Sequence, residues 1–198
     1  MITTAHPSRR SAIPGVALGL FAALAVAGLP TRAGNPQQDA PTLKGQSGHY
    51  QSSIIVRTTP SRAWAVITDY ESQAGWTPDI KKAKVKQRLG HTVQLEQVYQ
   101  APYTFGKSVR AVLEMQESPK TSIKYKLLEA DDIRDLHGTW TLTPVKQGIR
   151  LTHQIQINPK VPALLRPIYD ELHTANLLQW MRLLKQRMEA AETKRATD

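Results

Sequence analysis

Between Ile80 and Ile157 the apolar residues recur on one parity through six successive segments, and this run of period-two patterning limits the fold more than any other feature of the chain. The sets are Ala83, Val85 and Leu89; Val93, Leu95 and Tyr99; Phe105, Val109, Ala111, Leu113 and Met115; Ile123, Tyr125 and Leu127; Leu136, Gly138, Trp140 and Leu142; and Ile149, Leu151, His153, Ile155 and Ile157. Each reads as a half-buried strand. Leu89-Gly90-His91, Ala101-Pro102, Ser118-Pro119-Lys120 and Lys146-Gln147-Gly148 lie between sets as turn signals. Hairpins rather than crossovers therefore join the strands, and the sheet is antiparallel.

Such a sheet must cover its apolar face. The element long enough to do so follows Asn158-Pro159, where Tyr169, Leu172, Leu177, Trp180, Leu184 and Met188 keep to one helical face. Pro167 lacks the N–H that would bond back to Ala163, so it either kinks this helix or marks its start. Ahead of the run, Tyr50, Ser52, Ile54 and Val56 predict one further strand. Thr59 then caps a short helix with Pro60 at its first position and Ala63, Trp64 and Ile67 on one face; Asp69 to Trp76 predicts a second short helical turn. The expected class is α+β: a seven-stranded curved antiparallel sheet, two short helices after the first strand, and a long C-terminal helix.

At 198 residues the chain can bury one full core, and 40% hydrophobic with 21% charged residues is ordinary for a globular protein. The absence of cysteine excludes disulfides, thiolate metal sites and a cysteine-linked lipid anchor. Arg9-Arg10, the Ala-rich apolar stretch from Ile13 to Leu29 and the small-residue site Thr31-Arg32-Ala33 predict an export signal over residues 1–33, with an uncleaved anchor as the alternative. The expected location is periplasmic or otherwise extracytoplasmic. Residues 34–48, rich in Pro, Gln and Gly, read as a disordered leader, residues 49–192 as the folded domain and 193–198 as a tail. Losing Arg9, Arg10 and Arg32 with the signal lowers the formal charge from +10 to +7, which still favours anionic partners.

The order strand, two short helices, six strands, long helix resembles the START-like superfamily of polyketide cyclases and coenzyme Q-binding proteins, whose fold is the helix-grip. The segment Arg62-Ala63-Trp64-Ala65-Val66-Ile67-Thr68-Asp69-Tyr70-Glu71, with Trp76-Thr77-Pro78-Asp79-Ile80 after it, is similar to that family's W-x-V-[LI]-[TS]-D-Y-E then P-x-[IL] signature. A second similarity is Asn176-Leu177-Leu178 leading into Arg182-Leu183-Leu184-Lys185. The resemblance implies a cavity between sheet and C-terminal helix. Members bind quinones, sterols and other lipids, cyclise aromatic polyketides, or act on ribosomes, so fold alone leaves the activity open.

Strand parity turns Gln97 and His153 inward, and helical spacing puts His173 and Asn176 beside the Tyr169 to Trp180 stripe. These four polar residues are the candidates to orient a ligand; as ordinary core groups they would be satisfied by neighbours or buried water. Trp76, Phe105, Val109, Met115, Tyr125, Trp140, Tyr169, Leu172 and Trp180 are the candidate apolar lining. No metal or cofactor is expected, because His137 has the opposite parity and no H-E-x-x-H spacing occurs. Nothing pairs a nucleophile with a base, so no catalytic residue is assigned. Lys82, Lys84, Lys86 and Arg88 share the outward parity of one strand, a solvated face or a dock for an anionic membrane; nucleic acid is disfavoured because aromatics are not interleaved with them.

The expected function is binding, carriage or chaperoning of a hydrophobic small molecule, an isoprenoid quinone or other lipid. One alternative is an aromatase/cyclase-type enzyme with His153 as general base; another is a protein-interaction module using the basic surface.

Overall fold

Alternation of apolar and polar residues from His49 onward produces a strongly curved antiparallel sheet, and the computed structural model describes it over residues 40–190. The expected signal or anchor at 1–33, the leader residues 34–39 and the tail at 193–198 lie outside the described residues. The strands are β1 (Thr42–Gln46), β2 (His49–Val56), β3 (Ile80–Leu89), β4 (Thr92–Tyr99), β5 (Val109–Ser118), β6 (Ser122–Ala130), β7 (Ile133–Val145) and β8 (Gly148–Pro159). Helix α1 (Pro60–Thr68) and a 3-10 turn at Glu71–Gly75 separate β2 from β3, and α2 (Arg166–Glu189) closes the domain. The spatial order is β1-β2-β8-β7-β6-β5-β4-β3. This is the helix-grip arrangement.

Eight strands are present among the described residues, not seven. The additional one, β1, falls inside the segment read as a disordered leader. Its side chains are exposed except for a half-buried Leu43, so it carries no apolar alternation to read. It is held by its ladder to β2, from Thr42 opposite Ser53 to Gln46 opposite His49. Ser47 and Gly48, both at positive φ, make the two-residue turn whose twist suits such a hairpin.

Thr59 caps α1 through its hydroxyl, which accepts the Arg62 N–H, and Ala63 and Ile67 are the buried face. Pro167 marks the start of α2 rather than a kink, following a 3-10 turn at Ala163–Leu165. Tyr169, His173, Leu177, Met181, Leu184 and Met188 form the buried stripe of α2. In its C-terminal half Met181, Leu184 and Met188 are fully buried. The same end is pinned to β2 and to α1: Lys185 Nζ donates to the Ile55 carbonyl at 3.0 Å, and Arg62 Nε of α1 donates to the Met188 carbonyl at 3.1 Å. Between the sheet and α2, from Tyr169 to Leu184, a cavity remains.

Two register shifts in β3 correct the outward set predicted there. Lys82 and Lys84 lie opposite Val98 and Glu96 on the convex face. After the irregularity between Val85 and Gln87, Arg88 lies opposite the buried Val93 and so belongs to the other face. There its guanidinium meets Glu117 at 2.9 Å, and Glu117 also accepts the Tyr70 hydroxyl at 2.9 Å. The same shift leaves Leu89, expected inside, 66% exposed.

Candidate functional site

The inner face of the sheet, the loop between β4 and β5, and α2 from Tyr169 to Leu184 enclose a cavity of about 400 Å³. That volume suits a small hydrophobic molecule. Leu95, Val109, Leu113, Met115, Ile123, Leu136, Ile155 and Ile157 give it an apolar floor, and Tyr169, Leu177, Trp180 and Leu184 of α2 the opposite wall. Phe105, Lys107, Asp132, Lys160, Pro162 and Leu165 come from the loops that border it.

Of the residues singled out from sequence, Gln97, Phe105, Val109, Met115, Tyr125, Trp140, His153, Tyr169, His173, Asn176 and Trp180 all line this one cavity. Trp76 and Leu172 do not. The Trp76 indole packs on Trp180 instead, ring centroids 6.1 Å apart. Leu172 is half-buried, because it lies roughly 110° round α2 from the middle of the buried stripe. Phe105 lines the cavity from an unexpected place. It belongs to no strand; it follows a 3-10 turn at Pro102–Thr104 with φ 52°, is 45% exposed, and β5 begins only at Val109.

Three polar stations interrupt the apolar wall. At the first, the Tyr125 hydroxyl is 2.7 Å from His153 Nε2, and Trp140 stacks on the imidazole at 3.8 Å with planes 2° apart. Burial, with an added contribution from His173, lowers the His153 pKa to about 3, so the ring is neutral at pH 7. Burial raises the Tyr125 phenol well above its ordinary value, keeping the proton on it. At the second, Gln97 Nε2 donates to Gln73 Oε1 at 3.0 Å while Gln97 Oε1 accepts the Tyr99 hydroxyl. At the third, Asp79 Oδ2 accepts Trp180 Nε1 at 2.7 Å and Asn176 Nδ2 at 3.2 Å.

His173 stands apart from these. It is 4% exposed, its two ring nitrogens have no hydrogen-bond partner, and Tyr50, Tyr103 and Tyr169 pack around it at centroid distances of 5.2 to 5.6 Å. Burial lowers its pKa to about 4. Sequence reasoning missed Gln73, Asp79, Tyr99 and Tyr103 as polar or aromatic wall residues. Asp79 stood inside the signature segment, immediately before Ile80, but nothing in its neighbourhood marked it as a buried acceptor.

No group of three or more His, Asp or Glu side chains able to hold a metal ion occurs among the described residues, and no described helix is long and apolar enough to cross a membrane. The predicted basic face is crossed by acids: Glu96 lies 2.9 Å from Arg110 and 3.9 Å from Lys86. Arg110, then Lys86 and Lys82, hold the Glu96 carboxyl below the usual carboxylate range.

A curved sheet gripping a helix around an apolar cavity with few polar stations defines a class of hydrophobic-ligand domains. Residues 47–190 match the family described as polyketide cyclase / dehydrase and lipid transport, and the chain belongs to it. Among solved structures, the chain is similar in fold to a Thermus thermophilus protein (22% identity, TM-score 0.64, covering 71% of this chain and 97% of that one). It is similar also to a START superfamily protein from Mycobacterium smegmatis (18%, TM-score 0.62, 71% and 97%). A third similarity is to the Zhui aromatase/cyclase of a Streptomyces species (14%, TM-score 0.62, 76% and 98%). A search of curated proteins by sequence found no match.

Proposed function

We propose that the protein binds and carries a hydrophobic small molecule, with isoprenoid quinones and other lipids as the leading class. The observation that carries this reading is the cavity itself, about 400 Å³ and walled mainly by apolar side chains. The family's description, which includes lipid transport, supports it. Apolar burial supplies affinity at about 25 cal/mol per Å², and the buried neutral His153 and His173 supply polar selectivity. On this reading the N-terminal export signal delivers the carrier to an extracytoplasmic compartment, which the intact mass of the exported protein would test.

The Tyr125–His153 hydrogen bond favours a second reading, a cyclase-type enzyme in which the imidazole takes a proton from an enolisable substrate. A base whose pKa is lowered to about 3 is poorly matched to that task near neutrality, so carriage ranks first. The deciding experiment is solvent extraction of the purified full chain followed by mass spectrometry. A stoichiometric, chemically unaltered hydrophobic molecule is expected. A chain that neither co-purifies with nor takes up apolar ligands would overturn the reading, and turnover abolished by His153→Ala would replace it with the enzyme.

A further inference from the structure

Two acids line the cavity. Asp132 belongs to the turn between β6 and β7 at its border, whereas Asp79 is 3% exposed and faces α2. The two oxygens of Asp79 are treated differently. Oδ2 takes two donors from α2, Trp180 Nε1 and Asn176 Nδ2. Oδ1 is sealed from solvent and has no hydrogen-bond partner. A buried carboxylate oxygen left without a donor is costly, so a native fold that keeps one usually uses it.

No donor of the protein reaches Oδ1. The Tyr99 hydroxyl, close enough for the Asp79 charge to add to the effect of burial on it, donates to Gln97 Oε1. Tyr103, which feels the same charge, packs edge-on against Tyr169 and His173 and makes no hydrogen bond to Asp79. Oδ1 is an acceptor left without a donor, so what completes it is a donor brought in by the occupant. His173 lies one turn before Asn176 on the same face of α2, and its two buried ring nitrogens are likewise without a partner.

Resting on the carrier reading, we propose that Asp79 Oδ1 anchors a hydroxyl group of the ligand. The protein thereby selects hydrophobic molecules bearing a phenolic or alcoholic O–H over ethers, ketones and quinones of the same skeleton. This narrows the proposed ligand class: of an isoprenoid quinone/quinol couple the protein takes the reduced member, and of other lipids those with a free hydroxyl. The anchor works by acceptance alone, so methylating the hydroxyl removes the interaction with almost no change of apolar surface.

The matched probes are 4-octylphenol and 4-octylanisole, titrated calorimetrically into the full chain after delipidation. A hydrogen bond to a charged acceptor predicts that the phenol binds about tenfold to a hundredfold more tightly. Asp79→Asn keeps an acceptor for Trp180 and puts an amide N–H₂ where Oδ1 stood, so the preference should collapse or invert toward the anisole. Infrared difference spectra of the unmutated protein give a readout independent of how the variant folds: phenol, and not anisole, should shift a carboxylate stretch. Equal affinities for the two probes overturn the anchor while leaving the carrier reading intact. A phenol preference that survives Asp79→Asn, or that comes with no carboxylate shift, also overturns it. Failure of both probes to bind overturns the carrier reading itself.

Discussion

The Tyr125 hydroxyl on β6 reaches His153 Nε2 on β8 at 2.7 Å, passing over β7 at Gly138, the residue directly opposite Tyr125. A Cβ at Gly138 would collide with the Tyr125 hydroxyl and with the Gln154 backbone carbonyl. Gly138→Ala is therefore expected to destabilise the domain by about 1–3 kcal/mol, since the carbonyl cannot rotate away. It should also displace the phenol from His153. A denaturant midpoint lowered at unchanged slope, with weaker ligand binding, is the expected result.

Removing the hydroxyl alone isolates the hydrogen bond. Tyr125→Phe leaves His153 Nε2 buried without a partner, at a cost of about 1–3 kcal/mol. His153→Leu in the same background removes the stranded nitrogen, so the double variant should lose less stability than the two single losses together. Chemical denaturation of all four proteins measures the coupling; strict additivity would mean that the pair is not bonded in solution.

Both buried histidines make stability depend on pH. In the unfolded chain each takes up a proton as pH falls through about 6.5, whereas the folded chain resists until about 4 for His173 and about 3 for His153. The unfolded state binds more protons throughout that window, so stability is full above about pH 6.5 and declines as pH falls toward 4. Each histidine contributes on the order of 3 kcal/mol to the loss by pH 4. Urea midpoints between pH 7 and pH 4 should fall accordingly, and His173→Phe should flatten the curve.

The inward set of the cavity was legible because strand parity is a strict rule wherever pairing is regular. His153, Gln97, Met115, Tyr125 and Trp140 follow it and line one cavity. It failed where the chain departs from regular pairing. One irregularity in β3 moved Arg88 to the opposite face and Leu89 into solvent. Phe105 left its expected strand for a turn in which it and Gly106 both take positive φ. The polar β1 was invisible because backbone hydrogen bonds to β2, not apolar burial, hold it. Asp79 was missed for another reason: its partners Asn176 and Trp180 are 97 and 101 residues away, and local sequence cannot tell a buried acceptor from a turn aspartate.

The convex face yields the last prediction, because the structure separates the four basic residues once grouped together. Lys82 and Lys84 are exposed on β3, Lys86 lies 3.9 Å from Glu96, and Arg88 belongs to the Glu117–Tyr70 cluster on the other face. If this face meets an anionic bilayer, Lys82 and Lys84 carry the attraction, and neutralising both should weaken binding to phosphatidylglycerol vesicles by roughly tenfold or more. The binding should also fade as salt shortens the screening length to about 3 Å near 1 M. Arg88→Gln supplies the contrast. It leaves the convex face unchanged and removes a charge partner from Glu117, so it should lower the melting temperature and leave vesicle binding as it was. Co-sedimentation of the double lysine variant at the unmutated level would identify the lysines as an ordinary solvated face.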